Sequence, residues 1–226
     1  ANSPDRVILL GDVKHNVPKV SWQEKDEIPR FLETLAEHTH VDIIPGNHDG
    51  GIELLFNRHK DIRVHSARGA VIDGTGYFHG HTWPASEILA VSHAVTAHNH
   101  PTVRFTDSFG YSVVEPAWIR TKFNMEVLKI HFGNLDFENP AQWADPELFV
   151  MPAFNELCGG VPFNESTQEE LLGPAFSSGG IKLEASEVYL LDGTRLGLLR
   201  NIRKLKHTRV RNKNQNRRCR NSKGST

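Results

Sequence analysis

The run Arg6-Val7-Ile8-Leu9-Leu10-Gly11-Asp12 and its later counterpart Val41-Asp42-Ile43-Ile44-Pro45-Gly46-Asn47-His48-Asp49-Gly50-Gly51 decide the fold. Each opens with a short apolar run of the kind that forms a strand buried on both faces, and each ends in a polar loop containing glycine. Between them, residues 23–38 set Ile28, Phe31, Leu32 and Leu35 at helical spacing among Glu and Lys, which predicts an amphipathic helix packed on a sheet. Pro29 predicts that this helix starts late, because proline is best tolerated in a first turn. Strand, helix, strand is a βαβ unit. The loops at the carboxyl ends of its parallel strands converge on one sheet edge, so Asp12 and Asn47-His48-Asp49 are expected to be neighbours.

Working outward, the runs 70–73, 77–79, 94–97, 102–105 and 111–114 read as further strands, with a short helix over 86–90. Past Val114 the pattern thins to a strand at 148–151 and a hairpin of 188–191 with 194–199 around the turn pair Asp192-Gly193. With 226 residues, 38% hydrophobic and 23% charged, the chain suits one large folded α/β domain, which excludes wholesale disorder and fibrous repeats. No stretch approaches the roughly 18 uninterrupted apolar residues of a membrane-spanning helix, and ANSPDRVILL lacks the pattern of an export signal, so no membrane partner is expected. Cys158 and Cys219 make neither a disulfide framework nor a CxxC zinc pair, which predicts a reducing, cytoplasmic setting. Cys158, before Gly159-Gly160, is expected to pack rather than react. Asn164-Glu165-Ser166 matches the glycosylation sequon by chance.

The formal net charge of −1 conceals a segregation. Residues 200–226 hold eleven Lys or Arg and no acid, leaving 15 basic against 27 acidic groups before them, or −12. The predicted organisation is therefore a domain over 1–199 and a basic, disordered tail over 200–226. That tail either neutralises nucleic-acid phosphates, without reading sequence, or solubilises the chain.

Four polar clusters follow four apolar runs: Asp12, then Asn47-His48-Asp49, then His79 with His81, then His98 with His100. Each alone fits a local role, as a turn residue, a tight turn, a core histidine or a polar loop. Their order and spacing together are harder to obtain by chance. Carboxylate, amide oxygen and imidazole without thiolate suit manganese, iron or zinc in an open site better than calcium or a closed structural zinc. Two such ions about 3.5–4 Å apart would clamp a phosphoryl group for in-line attack by a bound hydroxide.

Gly11-Asp12, Gly46-Asn47-His48-Asp49, His79-Gly80-His81 and His98-x-His100 resemble, in order, the later motifs of the calcineurin-like metallophosphoesterases. Gly11-Asp12-Val13-Lys14-His15, Phe78-His79-Gly80-His81-Thr82-Trp83-Pro84, Glu115-Pro116-Ala117-Trp118 and Met151-Pro152-Ala153-Phe154-Asn155 resemble segments of the SbcD-related archaeal branch. The resemblance spans residues 6–199 and implies a calcineurin-like α/β/β/α sandwich. It further implies two divalent ions, manganese foremost and iron or zinc otherwise. It makes Asp12 the bridging carboxylate, puts Asn47, His79 and His98 with it on the second ion, and gives His100 to the first. His48 would be the general acid, His81 the alternative to His79, and Lys14 and His15 either substrate-phosphate contacts or parts of a solvent-facing loop. The family's opening Asp-x-His is missing, and only ten residues precede Gly11, none of them an initial Met. The chain thus reads as a fragment without its first strand and helix, with a full second subsite and a first subsite reduced to Asp12 and His100.

The function expected is metal-dependent hydrolysis of phosphodiesters, nucleic acid among them, with phosphomonoesters as the near alternative. A non-catalytic module that binds metal and nucleic acid is the alternative from another class. Oligomeric state is not legible.

Overall fold

The structure, a computed structural model, describes residues 4–56, 59–133 and 143–203. It is a mixed α/β architecture of two sheets and few helices, as the sandwich expectation requires. Strand β1 (Arg6–Leu10) leads to helix α1 (Trp22–Ala36), which returns the chain to β2 (His40–Ile44), and β3 (Ile62–Val64) completes a parallel sheet in the order β1-β2-β3. The register pairs Leu10 with Ile44, so both polar loops leave from one edge. β1 is half-buried along its whole length instead of buried on both faces, because it is the edge strand.

Helix α1 starts at Trp22, seven residues before Pro29, and runs through the proline. The start is set by a capping box. Ser21 Oγ accepts from the Glu24 amide at 3.1 Å, and Glu24 accepts from the Ser21 amide at 2.7 Å. Pro29 forgoes one bond to the preceding turn. The buried stripe is Ile28, Leu32 and Ala36, whereas Phe31, expected on that face, is half exposed at its flank. This stripe packs with Val41, Ile43 and Ile52 into a small core of its own.

The second sheet holds β4 (Ala70–Ile72), β5 (Thr75–Phe78), β6 (His93–Thr96), β7 (Pro101–Thr106), β8 (Ser112–Lys122), β9 (Glu147–Val150), β10 (Val161–Pro162), β11 (Glu187–Leu190) and β12 (Arg195–Leu198). Its main path runs β10-β7-β8-β9-β6-β5-β4, with β11 on β8 and β12 on β11. β8 runs well past the expected 111–114, because Glu115-Pro116 interrupts the alternation without ending the strand. Pro116 lies where β8 passes from pairing β7 to pairing β9 and β11. Helices α2 (Met125–Gly133) and α3 (Pro174–Ser177) were not legible in the sequence, while the β11–β12 hairpin turns at Asp192-Gly193 as expected. The large core gathers Phe78, Phe123, Phe132, Phe163 and Phe176 with aliphatic neighbours.

Parallel β5, β6 and β9 match Phe78 with Thr96, and Thr96 with Val150. The loops after all three therefore leave the same edge.

At the tail boundary, residues 199–203 are helical, and Arg203 donates to the Phe163 and Ser166 carbonyls at 2.7 and 2.5 Å and pairs with Glu184 at 2.8 Å. Residues 204–226 of the basic tail lie outside the described residues. Cys158 is exposed, so it does not pack as expected, because it sits in an exposed loop. Asn164 is buried, with both amide atoms bonded to the Arg104 backbone. No helix among the described residues is long and apolar enough to cross a membrane.

Buried Asp42 gathers its partners within the first sheet, and Arg6 carries a contact on to the second. One oxygen takes Arg6, the other lies 2.5 Å from His65 Nε2, and Arg6 reaches on to Asp73 at the β4–β5 turn at 3.1 Å. Burial alone would raise the Asp42 carboxyl, but the His65 and Arg6 hydrogen bonds and the Arg6 charge outweigh it and hold it below the ordinary carboxylate value. Asp42→Asn is expected to lower stability at neutral pH by about 2 kcal/mol, less than for a fully buried pair because Arg6 is partly exposed. A depressed carboxyl contributes fully above its unfolded value and loses that contribution as pH falls through its folded value. The gap between wild type and variant in urea midpoint should therefore close below about pH 4.

Candidate metal centre

Side chains from four loops meet where the edges of the two sheets face each other. Asp12 follows β1, Gly46–Asp49 follow β2, His79–His81 follow β5, and His98–His100 follow β6. Ligand atoms of Asp12, His79 and His98 all lie within 4.8 Å of one another. His79 is buried, and its Nδ1 lies 3.0 Å from the Leu10 carbonyl. A carbonyl only accepts, so Nδ1 carries the hydrogen, and in the neutral ring the lone pair sits on Nε2. Nε2 faces Asp12 Oδ2 at 3.3 Å and, though buried, makes no hydrogen bond. An imidazole fixed through one nitrogen with the other presented bare is the usual outer-shell arrangement of a metal-ligating histidine.

The electrostatics favour a cation. Burial alone would raise the Asp12 carboxyl, but neighbouring His79 and the His48 amide, 3.0 Å from Oδ1, bring it down to about 2. Burial, reinforced by His79 and opposed by Asp12, pushes His98 down to about 4. Burial also lowers His81 and His100, with Asp12 opposing in both cases. A carboxylate beside His81, His98 and His100, each pushed toward the neutral ring, is a donor set for a borderline divalent ion.

Of the other candidate residues, His81, His100 and His48 lie beside this group. The His81 ring centroid lies 5.5 Å from that of His79 and 6.1 Å from that of His98, and its Nδ1 is buried without a hydrogen-bond partner. His100 stands two residues past His98, close enough to feel Asp12, His79 and His48, but outside the three that close within 4.8 Å. Asn47 is exposed in the turn between Gly46 and His48. His48 Nδ1 lies 2.7 Å from the His15 carbonyl, which leaves Nε2 free, and the exposed His15 ring stacks on it at 6.3 Å.

Lys14, expected at substrate phosphate or in a solvent-facing loop, is buried with its ammonium on the Gly50 carbonyl at 2.8 Å. Its amide donates to Asp49 Oδ1 at 2.9 Å, while Asp49 Oδ2 takes the Gly46 amide at 2.8 Å. Lys14 and Asp49 thus latch the first loop to the second. Asn99 was read only as the spacer between two histidines. It is buried, and its amide donates to the Leu172 carbonyl at 2.9 Å and accepts from the Leu172 amide at 2.7 Å. No signal in the sequence marks that role, because its partner lies 73 residues away.

Asp12, His98 and His100 have φ of 54°, 60° and 43°, so three of the five non-glycine residues in left-handed backbone among those described belong to this group. Such backbone costs about 1 kcal/mol or more per residue and concentrates where function holds it in place.

No family model matches the chain, and no curated protein matches it. Among solved structures, the nuclease MPE of Pseudomonas putida is similar over 86% of this chain and 71% of its own, at 17% identity and a TM-score of 0.45.

Two glycines make room for the group. A Cβ on Gly11, at φ +81°, would lie 2.0 Å from His79 Nδ1, and one on Gly46 would lie 2.1 Å from Asp12 Oδ1 and 2.5 Å from the Asp12 amide. Gly46→Ala must therefore displace Asp12. Calorimetric titration with manganese is expected to show affinity at least about tenfold weaker than wild type, within the range for disturbing a ligand's support.

Proposed function

We propose that this chain is a divalent-metal-dependent phosphoesterase acting on phosphodiesters, nucleic acid among them. The observation that carries it is the closure of Asp12, His79 and His98 within 4.8 Å, with the His79 Nε2 bare and buried. In this reading Asp12, Asn47, His79 and His98 would hold one ion, and His100 with Asp12 would hold a second. Manganese is the first choice, and iron or zinc the alternatives. When bound, the ions supply Lewis acidity toward a phosphoryl oxygen and lower the pKa of water.

The chain's own residues do the rest. The His15 carbonyl fixes the His48 ring, so a proton passed to the leaving oxygen comes from Nε2. Lys14 and Asp49 hold the loop that carries His48, and exposed His15 keeps the phosphate-contact role. The likeness of residues 78–84 and 151–155 to the SbcD-related branch supports a diester over a monoester. Eleven basic residues and no acid after Leu199 support nucleic acid as partner, through sequence-independent, salt-sensitive contacts.

The test is hydrolysis of bis(p-nitrophenyl) phosphate and p-nitrophenyl phosphate by the full chain. Chelation is expected to abolish turnover and manganese to restore it, with the diester preferred. His48→Ala should lower kcat by about 10²–10⁴ without loss of metal binding. Asp12→Ala should lose both. Metal binding without turnover of either ester would replace the enzyme with a module that binds metal and nucleic acid, and a preference for the monoester would overturn the substrate class.

A further inference from the structure

Beside this polar centre lies an apolar feature that phosphate chemistry does not explain. The loop 151–160 leaves β9 at the edge shared with β5 and β6, and the Met151 amide extends the pairing to the Thr96 carbonyl at 2.8 Å. It returns to the same place, where the Val161 amide bonds the His100 carbonyl at 3.1 Å and the Asn99 carbonyl at 3.4 Å. One end is thus fastened to the last residue of β6 and the other to the loop that bears His98 and His100. Between them Phe154 is fully exposed and Leu157 is 92% exposed. Asn155 stiffens this stretch, its Oδ1 accepting from the Leu157 amide at 2.9 Å. Leu172, held by the Asn99 side chain, adds a half-exposed apolar group beside the same loop.

Residues 151–160 contain no Lys or Arg, so this element does not recognise phosphate by charge. An exposed ring on a loop whose two ends are fastened beside the candidate metal centre suits the one part of a nucleic-acid diester that is flat, uncharged and aromatic. Stacking on such a ring tolerates any base but needs the base unpaired, because a duplex hides its faces. We infer that Phe154, with Leu157 beside it, is a stacking platform for an unpaired base flanking the scissile phosphodiester, and so selects single-stranded over duplex substrate. The choice of occupant rests on the phosphoesterase reading.

A control is at hand in Phe109, equally exposed at the tip of the β7–β8 hairpin. It stands at the far end of β7 from His100, roughly 20 Å along the strand.

The experiment measures anisotropy of a fluorescein-labelled oligothymidylate of about twelve nucleotides, long enough for one binding site. It uses the full metal-free chain at fixed salt, with an abasic oligomer of equal length and a duplex as comparators. Phe154→Ala is expected to weaken oligothymidylate binding about 5-fold or more, the range for loss of one stacked base. It should not change binding of the abasic oligomer. Phe154→Trp should retain affinity and show quenched indole emission when oligothymidylate is added. Phe109→Ala should bind as wild type does. The platform is overturned if Phe154→Ala binds oligothymidylate as tightly as wild type, if Phe109→Ala loses as much, or if wild type prefers the abasic oligomer or the duplex. Manganese-dependent turnover is read separately. Stacking without turnover would end the phosphoesterase reading and leave the platform in place, whereas turnover without stacking would do the reverse.

Discussion

A single imidazole joins the two sheets at the place where chemistry is assigned. His79 follows β5 of the second sheet, yet its Nδ1 donates to Leu10 at the end of β1 in the first. That bond sets the tautomer and the direction of the ring, and so points Nε2 at Asp12. Gly11 has no side chain because the ring fills the space a Cβ would need. The relative position of the sheets and the ligand geometry are therefore one constraint, and a shift of one sheet edge would misdirect His79 before it disturbed either core. The Arg6–Asp42–His65 cluster, reaching on to Asp73, fixes the same pair of sheets from the opposite end of β1.

Left-handed backbone at Asp12, His98 and His100 follows from the same demand. Asp12 and His98 lie two residues past a strand, and His100 lies immediately before β7. Glycine would adopt that backbone without strain but offers no ligand atom. The strain is sustained by the contacts around it: the His48 amide on Asp12, the Asn99 amide on Leu172, and the Lys14 and Asp49 bonds across the Gly46–Gly51 turn.

The sequence was most informative where short-range pattern and topology coincide. Two apolar runs separated by an amphipathic helix gave the parallel pair β1 and β2, and parallel pairing made neighbours of Asp12 and His48 without further information. The His79–His81 and His98–His100 clusters are legible because each sits at the end of a short apolar run. What stayed hidden depends on partners far along the chain. Lys14 reads as a loop cation until Gly50 closes over it, Asn99 reads as a spacer until Leu172 arrives, and β8 passes through Pro116 because two different sets of neighbours take it up on either side. Pro29 misled for the opposite reason, since the Ser21–Glu24 box sets an early start and the helix accommodates the proline beyond its first turn.

Two carboxylates of this chain differ in how fully their oxygens are supplied from within. Asp42 has both oxygens supplied from within, by the Arg6 guanidinium and the His65 ring. Asp12 has one oxygen on the His48 amide, while the other faces a ring nitrogen whose partner nitrogen has already committed its hydrogen to Leu10. His98, held neutral by burial, brings another lone pair to the same point instead of a proton. A half-buried carboxylate with imidazole nitrogens converging on it is an arrangement that a positive ion shared among them would satisfy.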